Sequence, residues 1–399
     1  MTKTNGSSPE KEPGPHAGAF ATGVYPNLFS EWLGMPEADI QSKLEAAWQH
    51  FFYGDDATER VYYPEGDMAC LMDIANDDAR SEGMSYGMMI AVQLDRQAEF
   101  DRLWKWTKAN MFHQEGELAG YFAWHCRRDG TRISEGPAPD GEEWFAMALF
   151  FAAHRWGSRE GIFNYKAEAN AILEVMLHKS DEGRENVISM FDRDSRQVRF
   201  VPSRAWAGVT DPSYHLPAFY ELWGRWADRD GDFWLKAAAT SRKLFQQAAH
   251  PETGLMPDYS YFDGTPKVAK GHEDFRYDAW RTLGNVALDH AWFASDPWQI
   301  KQSNRVLSFL QSFQDDPAAV FTVDGRPIIR SAAHGLMAMA AAAGLAADRE
   351  LAEPHVRRLW EAPFPSGHSR YYDGMLTLLA LLQVSGHYRI YRPHGMDTP

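Results

Sequence analysis

Two segments of the 399-residue sequence place a carboxylate where it could act as a proton donor or acceptor. Glu82 lies in SEGMSYGMM, at the predicted start of a helix whose other side chains are mostly small or apolar. Burial at this position would remove water from the carboxylate and raise its pKa, as a general acid near neutral pH requires. Ser81 is the predicted N-cap, which puts Glu82 in the first turn. The alternative role for Glu82 is to stabilise the helix dipole only.

The second carboxylate is Asp278, in the acidic segment HEDFRYDAWRTLGNVALDHAW, which also contains Glu273, Asp274 and Asp289. Arg281 follows Asp278 by three residues, a spacing that puts both side chains on one face of a helix. The arginine would keep the carboxylate ionised, as a general base requires. The alternative is an ordinary surface ion pair, although the aromatic neighbours of Asp278 argue against full exposure.

Three further residues are candidates for ligand binding. Asp140 ends the loop GPAPDG at the start of an apolar helix, so it either caps that helix or offers its carboxylate to ligand hydroxyl groups. Trp124 precedes a polar turn and Tyr214 starts a predicted helix, with Asp211 or Ser213 as its cap. Both aromatic rings could stack against a flat, uncharged ligand.

The histidines and the motif search argue against other enzyme classes. His125, His215 and His334 occur without HxH or HExxH spacing, so we expect ordinary core or surface histidines and no metal. The sequence also lacks GxSxG, a Walker loop and a GxGxxG after a strand, which disfavours serine hydrolases, NTPases and nicotinamide enzymes.

The composition limits the partners and the compartment. A formal net charge of −15 argues against nucleic acid and anionic membranes and is compatible with a neutral substrate. Cys70 and Cys126 are not in a CxxC pair, and two thiols fit a reducing compartment, although one disulfide stays open. No secretion signal or stretch of about 18 apolar residues is visible, so we expect a cytoplasmic protein, with secretion possible if a signal was removed.

Helical periodicity dominates the chain after a polar tail at residues 1–20. Several helices are apolar on most sides, which is typical of inner helices in a layered all-α assembly. Six helical hairpins would close into an (α/α)6 barrel as a single domain over residues 21–399, with a β-ribbon near 186–203. The number of helices alone does not distinguish such a barrel from a solenoid. The twelve predicted helices span 38–52, 81–94, 97–110, 142–156, 164–178, 213–227, 230–249, 276–294, 296–313, 330–347, 349–360 and 371–385.

The sequence resembles glycoside hydrolase family 8, and within it the reducing-end xylose-releasing exo-oligoxylanases and related xylanases. The similarity runs from GAFATGVYPNLF to SGHYRIYRP. The motifs that carry it are SEGMSYGMM at 81–89, GYFAW at 120–124, GPAPDGEEWFA at 136–146, ALFFAAHRWG at 148–157, DPSYHLPAFYELW at 211–223 and HPETGL at 250–255.

The resemblance implies an (α/α)6 barrel, an inverting mechanism and no metal or organic cofactor. It assigns the general acid to Glu82, the general base to Asp278 and sugar binding at the cleavage subsite to Asp140. Trp124 matches a stacking tryptophan and Arg281 the arginine after the base, and Tyr214 matches the tyrosine near the attacking water. An inverting enzyme holds its two carboxyl groups about 6.5–9.5 Å apart, which leaves room for that water.

One segment departs from the exo-acting members, which carry a Leu-His-Pro arm that blocks the cleft beyond the reducing-end sugar. The corresponding stretch is RSAAHGLMAMA at 330–340, where His334 is a candidate substitute. The missing arm favours endo-xylanase action, whereas the missing secretion signal favours short oligosaccharides, so the two modes stay balanced. We expect a monomer whose partner is xylo-oligosaccharide or xylan. The alternatives are an endo-β-1,4-glucanase or chitosanase on the same barrel and an inactive carbohydrate-binding protein.

Overall fold

The computed structural model describes residues 17–393 and residue 395. Helices dominate this part of the chain, and most of them pair as sequential hairpins. The α-helices are α1 Ala19–Thr22, α2 Leu28–Leu33, α3 Glu37–Trp48, α4 Ser81–Gln93, α5 Gln97–Asn110, α6 Pro139–Trp156, α7 Tyr165–His178, α8 Pro217–Trp226, α9 Gly231–Ala248, α10 Arg281–Phe293, α11 Trp298–Gln311, α12 His334–Ala342, α13 Arg349–Glu361 and α14 Tyr372–Val384.

Six inner helices, α4, α6, α8, α10, α12 and α14, form a closed ring. Consecutive members pack on one another, and α14 returns to α4. The α6–α8 contact is aromatic: the rings of Trp144 and Phe219 lie 5.0 Å apart, and Phe151 contacts Trp226. Apolar residues cover most sides of these helices, as in HGLMAMAAA of α12, so each must be buried all round.

Six outer helices cover the ring. Helices α5, α7, α9, α11 and α13 each pack against the inner helix that precedes them, and α3 packs against α14. The predicted (α/α)6 barrel is therefore confirmed. Nearly all the buried apolar residues belong to one continuous core cluster. Within the described residues, no helix is both long and apolar enough to cross a membrane.

All twelve predicted helices are present, but several begin or end differently. Helix α6 begins at Pro139, and α3 ends at Trp48 and continues as the π-helical turn Gln49–Tyr53. The segment predicted as 213–227 is a 3-10 turn, Pro212–Tyr214, followed by α8, because Pro217 fixes a new helix start. The segment predicted as 276–294 begins with the 3-10 turn Tyr277–Trp280 before α10. The segment predicted as 330–347 is α12 followed by a 3-10 turn, Ala343–Ala346. Helices α1 and α2 were missed because four and six residues are too few to show a helical period.

Short antiparallel ribbons connect the helices. The predicted ribbon near 186–203 is confirmed as the pair β6–β7, whereas the other small sheets were not predicted. The strands are β1 Tyr62–Glu65, β2 Met68–Leu71, β3 Ala79–Arg80, β4 His125–Cys126, β5 Arg132–Ser134, β6 Phe191–Asp192, β7 Gln197–Val198, β8 Val209–Thr210, β9 Ser260–Tyr261, β10 Val320–Phe321 and β11 Pro327–Ile329.

The predicted tail at 1–20 lies mostly outside the described residues, which begin at residue 17. Residues 17–20 belong to the folded part, because Ala19 is buried at the start of α1 and the Gly18 backbone approaches the Trp292 carbonyl. The boundary therefore lies before the predicted residue 20. Most of the C-terminal residues after Pro393 also lie outside the described part.

Candidate active site

A cleft of about 450 Å³ opens where the inner helices begin. It receives the first turns of α4, α6 and α14 and the 3-10 turns that precede α8 and α10. This arrangement directs several helix N-termini at one cavity, and side chains from distant parts of the sequence meet there. Its polar and aromatic lining includes Asp73, Asn76, Arg80, Glu82, Trp124, Asp140, Tyr214, Tyr277, Asp278, Trp280, His368, Tyr371, Tyr372 and Asp373.

Arg281 lies at the bottom of this cleft and contacts three carboxylates. Its Nη1 atom donates to Oε2 of Glu82 at 3.2 Å and to Oδ2 of Asp140 at 2.9 Å. The same atom donates to the hydroxyl of Tyr86 at 2.6 Å. Its Nη2 atom forms an ion pair with Oδ1 of Asp278 at 3.3 Å. Only 4% of the Arg281 side chain is exposed, so water screens these contacts poorly.

Glu82 lies in the first turn of α4, as predicted, and has a raised pKa. Its second oxygen, Oε1, accepts a hydrogen bond from Tyr371 at 3.0 Å. Burial raises the pKa of Glu82 to about 8, with Asp278 and Asp140 adding to the rise and Arg281 opposing it. The predicted direction is confirmed. The predicted N-cap at Ser81 is wrong: Arg80 precedes the helix, and Oγ of Ser81 is buried without a hydrogen bond.

Asp140 is the second residue of α6, whose first residue is Pro139. It does not cap this helix, because Pro139 already fixes the helix start and the N-cap position is Ala138. Its Oδ1 accepts only from the backbone N–H of Gly141, at 2.9 Å. Burial raises the pKa of Asp140, and the charge of Arg281 opposes that rise. The free lone pairs of the carboxylate are therefore available at the cleft.

Asp278 is the most exposed of the three carboxylates, with 32% of its side chain accessible. It lies in the 3-10 turn before α10, and the predicted contact with Arg281 forms because residues three apart eclipse in a 3-10 turn. Tyr372 donates to Oδ1 of Asp278 at 3.3 Å. Glu82 and Asp278 bind different nitrogens of the same guanidinium, so both face one cavity without sharing a donor atom.

Two aspartates that no motif singled out for chemistry lie beside Asp278. One carboxylate oxygen from each of Asp211, Asp258 and Asp278 lies within 4.8 Å of the others, which is close enough to hold a cation. Asp211 caps the 3-10 turn through Ser213, as predicted for one of the two cap candidates. Burial raises the pKa of both Asp211 and Asp258 well above the usual value. The negative charges of neighbouring aspartates raise both pKa values further.

The two predicted stacking residues line the cleft. The guanidinium of Arg281 lies 5.6 Å from the ring centre of Tyr214, and that of Arg80 lies 5.6 Å from the ring centre of Trp124. Each ring is thus held by a cation on one side. The structure therefore brings together six of the seven predicted site residues.

The seventh residue, His334, does not line this cleft. It is the first residue of α12 and lines a separate, mostly apolar cavity of about 310 Å³. The next residue, Gly335, donates a backbone hydrogen bond at 2.7 Å to Asp373, which lines the cleft. His215 is the satisfied core histidine that the sequence predicted: its two ring nitrogens pair with Thr210 and Ser241, and burial lowers its pKa to about 3.

The other acids of the Asp278 segment serve the fold. Glu273 accepts two backbone N–H groups of its own loop, from Ala269 and Gly271. Asp289 is fully buried and forms a two-armed ion pair with Arg242. The sequence alone does not distinguish these acidic residues from Asp278, because it does not show which of the side chains face the cleft.

Three tyrosines of the site, Tyr86, Tyr371 and Tyr372, were not predicted. Tyr86 belongs to a quoted motif and lies one turn after Glu82, so its spacing could have indicated a shared helix face. Tyr371 and Tyr372 reach the site from the last inner helix, 289 and 94 residues from the side chains they bind. No local pattern reports such a contact.

The comparisons with known proteins agree with this geometry. Residues 71–386 match the model of glycosyl hydrolases family 8. The chain belongs to this family. It is 47% identical to the reducing-end xylose-releasing exo-oligoxylanase Rex8A of Paenibacillus barcinonensis, over 94% of this chain and 98% of that protein. The Rex8A structure with xylose superimposes with a TM-score of 0.90 at 46% identity, covering 94% of this chain and 100% of that chain.

A family 8 xylanase of Teredinibacter turnerae, solved as a catalytic mutant with xylohexaose, is similarly close. Its TM-score is 0.91 at 44% identity, covering 94% of this chain and 100% of that chain. More distant is Endoglucanase A of Acetivibrio thermocellus, 29% identical over 78% of this chain and 63% of that protein. Since enzymes of the family have (α/α)6 barrels, the family assignment and the helical ring support each other.

Proposed function

We propose that the chain is an inverting glycoside hydrolase that cleaves β-1,4-xylosidic bonds in xylo-oligosaccharides or xylan. The observation that carries the proposal is the pair of carboxylates around Arg281. Glu82 has a pKa of about 8 and is mostly protonated at neutral pH, whereas Asp278 forms an ion pair with Arg281 and accepts a hydrogen bond from Tyr372. One proton donor and one ionised acceptor in a single cleft are what glycosidic hydrolysis requires.

In this mechanism Glu82 donates its proton to the glycosidic oxygen as the bond to the anomeric carbon breaks. Asp278 accepts a proton from a water molecule on the opposite face of the sugar, and the oxygen of that water bonds to the anomeric carbon. The product has inverted configuration, and each carboxyl group ends in the other protonation state. Asp140, held by Arg281, accepts hydrogen bonds from the hydroxyl groups of the sugar at the cleavage position.

Trp124 and Tyr214 give the substrate its orientation. We assign Trp124 to stacking against a sugar ring, because its face lines the cleft on the side of Arg80. We place Tyr214 near the attacking water, because it belongs to the 3-10 turn that Asp211 caps and its ring packs against the Arg281 guanidinium.

The mode of cleavage depends on the connection between β11 and α12. Only residues 330–333 separate the two elements, and His334 does not line the cleft, so neither supplies an arm across it. This favours internal cleavage. Rex8A, named for exo action, is 47% identical, and the Teredinibacter xylanase is 44% identical, so similarity does not decide between the modes.

The decisive experiment is a product profile from xylo-oligosaccharides of several lengths, each with a free and with a chemically reduced end. Normal cleavage of reduced substrates at internal bonds would establish an endo-xylanase. Release of xylose only from free reducing ends would establish an exo-oligoxylanase. Proton NMR of the first products should show the α-anomer, because the β-bond is cleaved with inversion. A β-anomeric first product would contradict the mechanism.

A β-1,4-glucanase or chitosanase is the second candidate, supported by the 29% identical endoglucanase of Acetivibrio thermocellus. The same assay with cello-oligosaccharides and chitosan oligomers tests it. Turnover of these substrates, without turnover of xylo-oligosaccharides, would replace the xylose assignment. We also propose a monomer, tested by light scattering, and a reducing compartment, supported by the two buried unpaired cysteines and tested by cell fractionation.

A further inference from the structure

Three carboxylates meet beside the proposed base, and two of them lack a partner for one oxygen. Asp211 is 0% exposed and Asp258 is 2% exposed. Oδ1 of Asp211 accepts from the backbone of Ser213 at 2.7 Å, and Oδ2 of Asp258 contacts Nδ1 of His272. Their other oxygens, Oδ2 of Asp211 and Oδ1 of Asp258, are buried without a hydrogen-bond partner.

The ionised form of a carboxylate is unfavourable when one of its oxygens is buried without a hydrogen-bond partner. Burying a charge without partners costs several kcal/mol, and two like charges nearby add to that cost. A protonated carboxyl group, in contrast, is a hydrogen-bond donor. One oxygen of each carboxylate, including that of Asp278, lies within 4.8 Å of the others, so a neighbouring carboxylate is the candidate acceptor for that donor.

We propose that Asp211 and Asp258 are positioning residues that stay protonated and direct their hydroxyl groups at the carboxylates of this cluster. This inference rests on the proposed role of Asp278 as the base. Hydrogen bonds to the ionised Asp278 favour its charged form and fix its orientation towards the attacking water. Arg281 and Tyr372 do the same from the other side, so the base is held by donors from several elements.

The groups that face the cluster agree with this protonation state. Arg281 and Arg276 oppose the rise in the pKa of Asp258, and Arg281 opposes it for Asp211, yet burial dominates both. Tyr214 and Tyr259 also face the cluster, and burial keeps both uncharged by raising their pKa. Burial lowers the pKa of His272, so its Nδ1–H donates to Asp258 as a neutral ring.

Asparagine imitates a protonated aspartate, because it keeps one acceptor and gains a donor, whereas alanine removes both. We expect Asp258→Ala and Asp211→Ala to lower kcat by about tenfold or more and to move the acidic limb of the kcat profile upward. Asp258→Asn and Asp211→Asn should recover most of both effects. Asp274→Asn is the matched control, since it neutralises an acid of the same loop outside the cluster.

A second measurement does not depend on catalysis. A buried acid with a raised folded-state pKa favours folding below its unfolded pKa of about 4, and this contribution is lost as pH rises towards the folded pKa. The melting temperature of wild type should therefore fall more between mildly acidic and neutral pH than that of Asp258→Asn. This shift appears even if the substrate is not a xylo-oligosaccharide, so it separates failure of this inference from failure of the proposed function.

Three results would overturn the inference. In the first, asparagine and alanine variants lose equal activity, which would show that negative charge is needed. In the second, alanine variants keep the wild-type kcat and pH profile. In the third, calcium or zinc chloride raises the melting temperature of wild type but not that of Asp258→Asn, which would make the cluster a cation site.

Discussion

At the scale of residues, the site consists of three carboxylates around the single guanidinium of Arg281. The one positive charge of Arg281 does not neutralise Glu82, Asp140 and Asp278 together, so retention of a proton lowers the repulsion among the three carboxylates. Glu82 retains it, because burial and its two acidic neighbours outweigh the arginine. Burial and the acidic neighbours of Glu82 therefore favour its protonated form, as a general acid requires.

The first prediction concerns the tyrosine that donates to Glu82. Wild type should lose kcat/KM as pH rises through about 8, where Glu82 gives up its proton. Tyr371→Phe removes a hydrogen bond that favours the charged form, so the basic limb should move to higher pH, with less than about tenfold loss in kcat. The pH profile of kcat/KM on a xylo-oligosaccharide measures both. Tyr62→Phe is the control, since Tyr62 is a buried tyrosine that does not line the cleft, and it should leave the limb in place.

Sequence reasoning reached part of this site for a physical reason. The motifs that contain Glu82, Asp140 and Asp278 are local, so short-range spacing indicated that each lies at the start of a helix. The contacts that complete the site, such as those of Tyr371 and Asp258, join segments far apart in the chain. These contacts depend on how the ring of helices closes, and the spacing of residues within one segment does not predict that closure.

At the scale of elements, the site depends on how closely α4 and α6 approach. A methyl group at Gly141 would lie 2.4 Å from Oγ and 2.6 Å from Cβ of Ser81, so only glycine permits the observed contact. Glu82 follows Ser81 and Asp140 precedes Gly141 in the sequence. This contact therefore sets the distance between the two acidic residues.

The second prediction follows from that contact. Gly141→Ala should force the helix ends apart and lower kcat by up to about 100-fold, because a displacement near 1 Å can cost that much. The double variant Gly141→Ala with Ser81→Gly removes the clash and should regain most of the lost activity. Circular dichroism and kcat on the same preparations separate misplacement from unfolding. Equal activity in the single and the double variant would contradict the role of this contact.

The third prediction corrects the sequence-based candidate at α12. Because His334 faces the separate cavity, His334→Ala should change neither the product pattern nor kcat/KM by more than about twofold. Trp124→Ala is the comparison, since losing a stacking face should raise KM by about tenfold. A switch from exo to endo products in His334→Ala would instead show that this histidine substitutes for the missing arm.

The helices were more predictable than the ribbons and turns at this scale. The inner helices have long apolar runs, as in α6 and α14, which only burial in a helical layer explains. The two-residue strands β3 and β4 pair across 45 residues of chain and contain no period. The sequence predicts an α-helical first turn at Asp278, because the 3-10 turn before α10 places residues three apart on one side much as an α-helix does.

At the scale of the whole molecule, closing six helices around a cleft buries carboxyl groups that no arginine reaches. Glu142 accepts the backbone N–H of Phe122 through Oε1, and its Oε2 has no partner. Burial raises the pKa of Glu142 well above the usual value. The exposed Glu353 differs, because Arg349 and Arg357 lower its pKa. The fold therefore contains acids whose contributions to stability have opposite dependence on pH.

The final prediction uses that contrast. The contribution of Glu142 to the free energy of unfolding is present below its unfolded pKa, near 4, and is lost as pH rises towards the folded pKa, by about 1.4 kcal/mol per pH unit. Glu142→Gln removes this slope, so its melting temperature relative to wild type should rise from pH about 5 to pH about 8. Glu353→Gln should show the opposite sign, a small destabilisation at neutral pH that disappears on acidification. Parallel slopes for wild type and Glu142→Gln would mean that the ring of helices admits enough water to let this buried acid ionise.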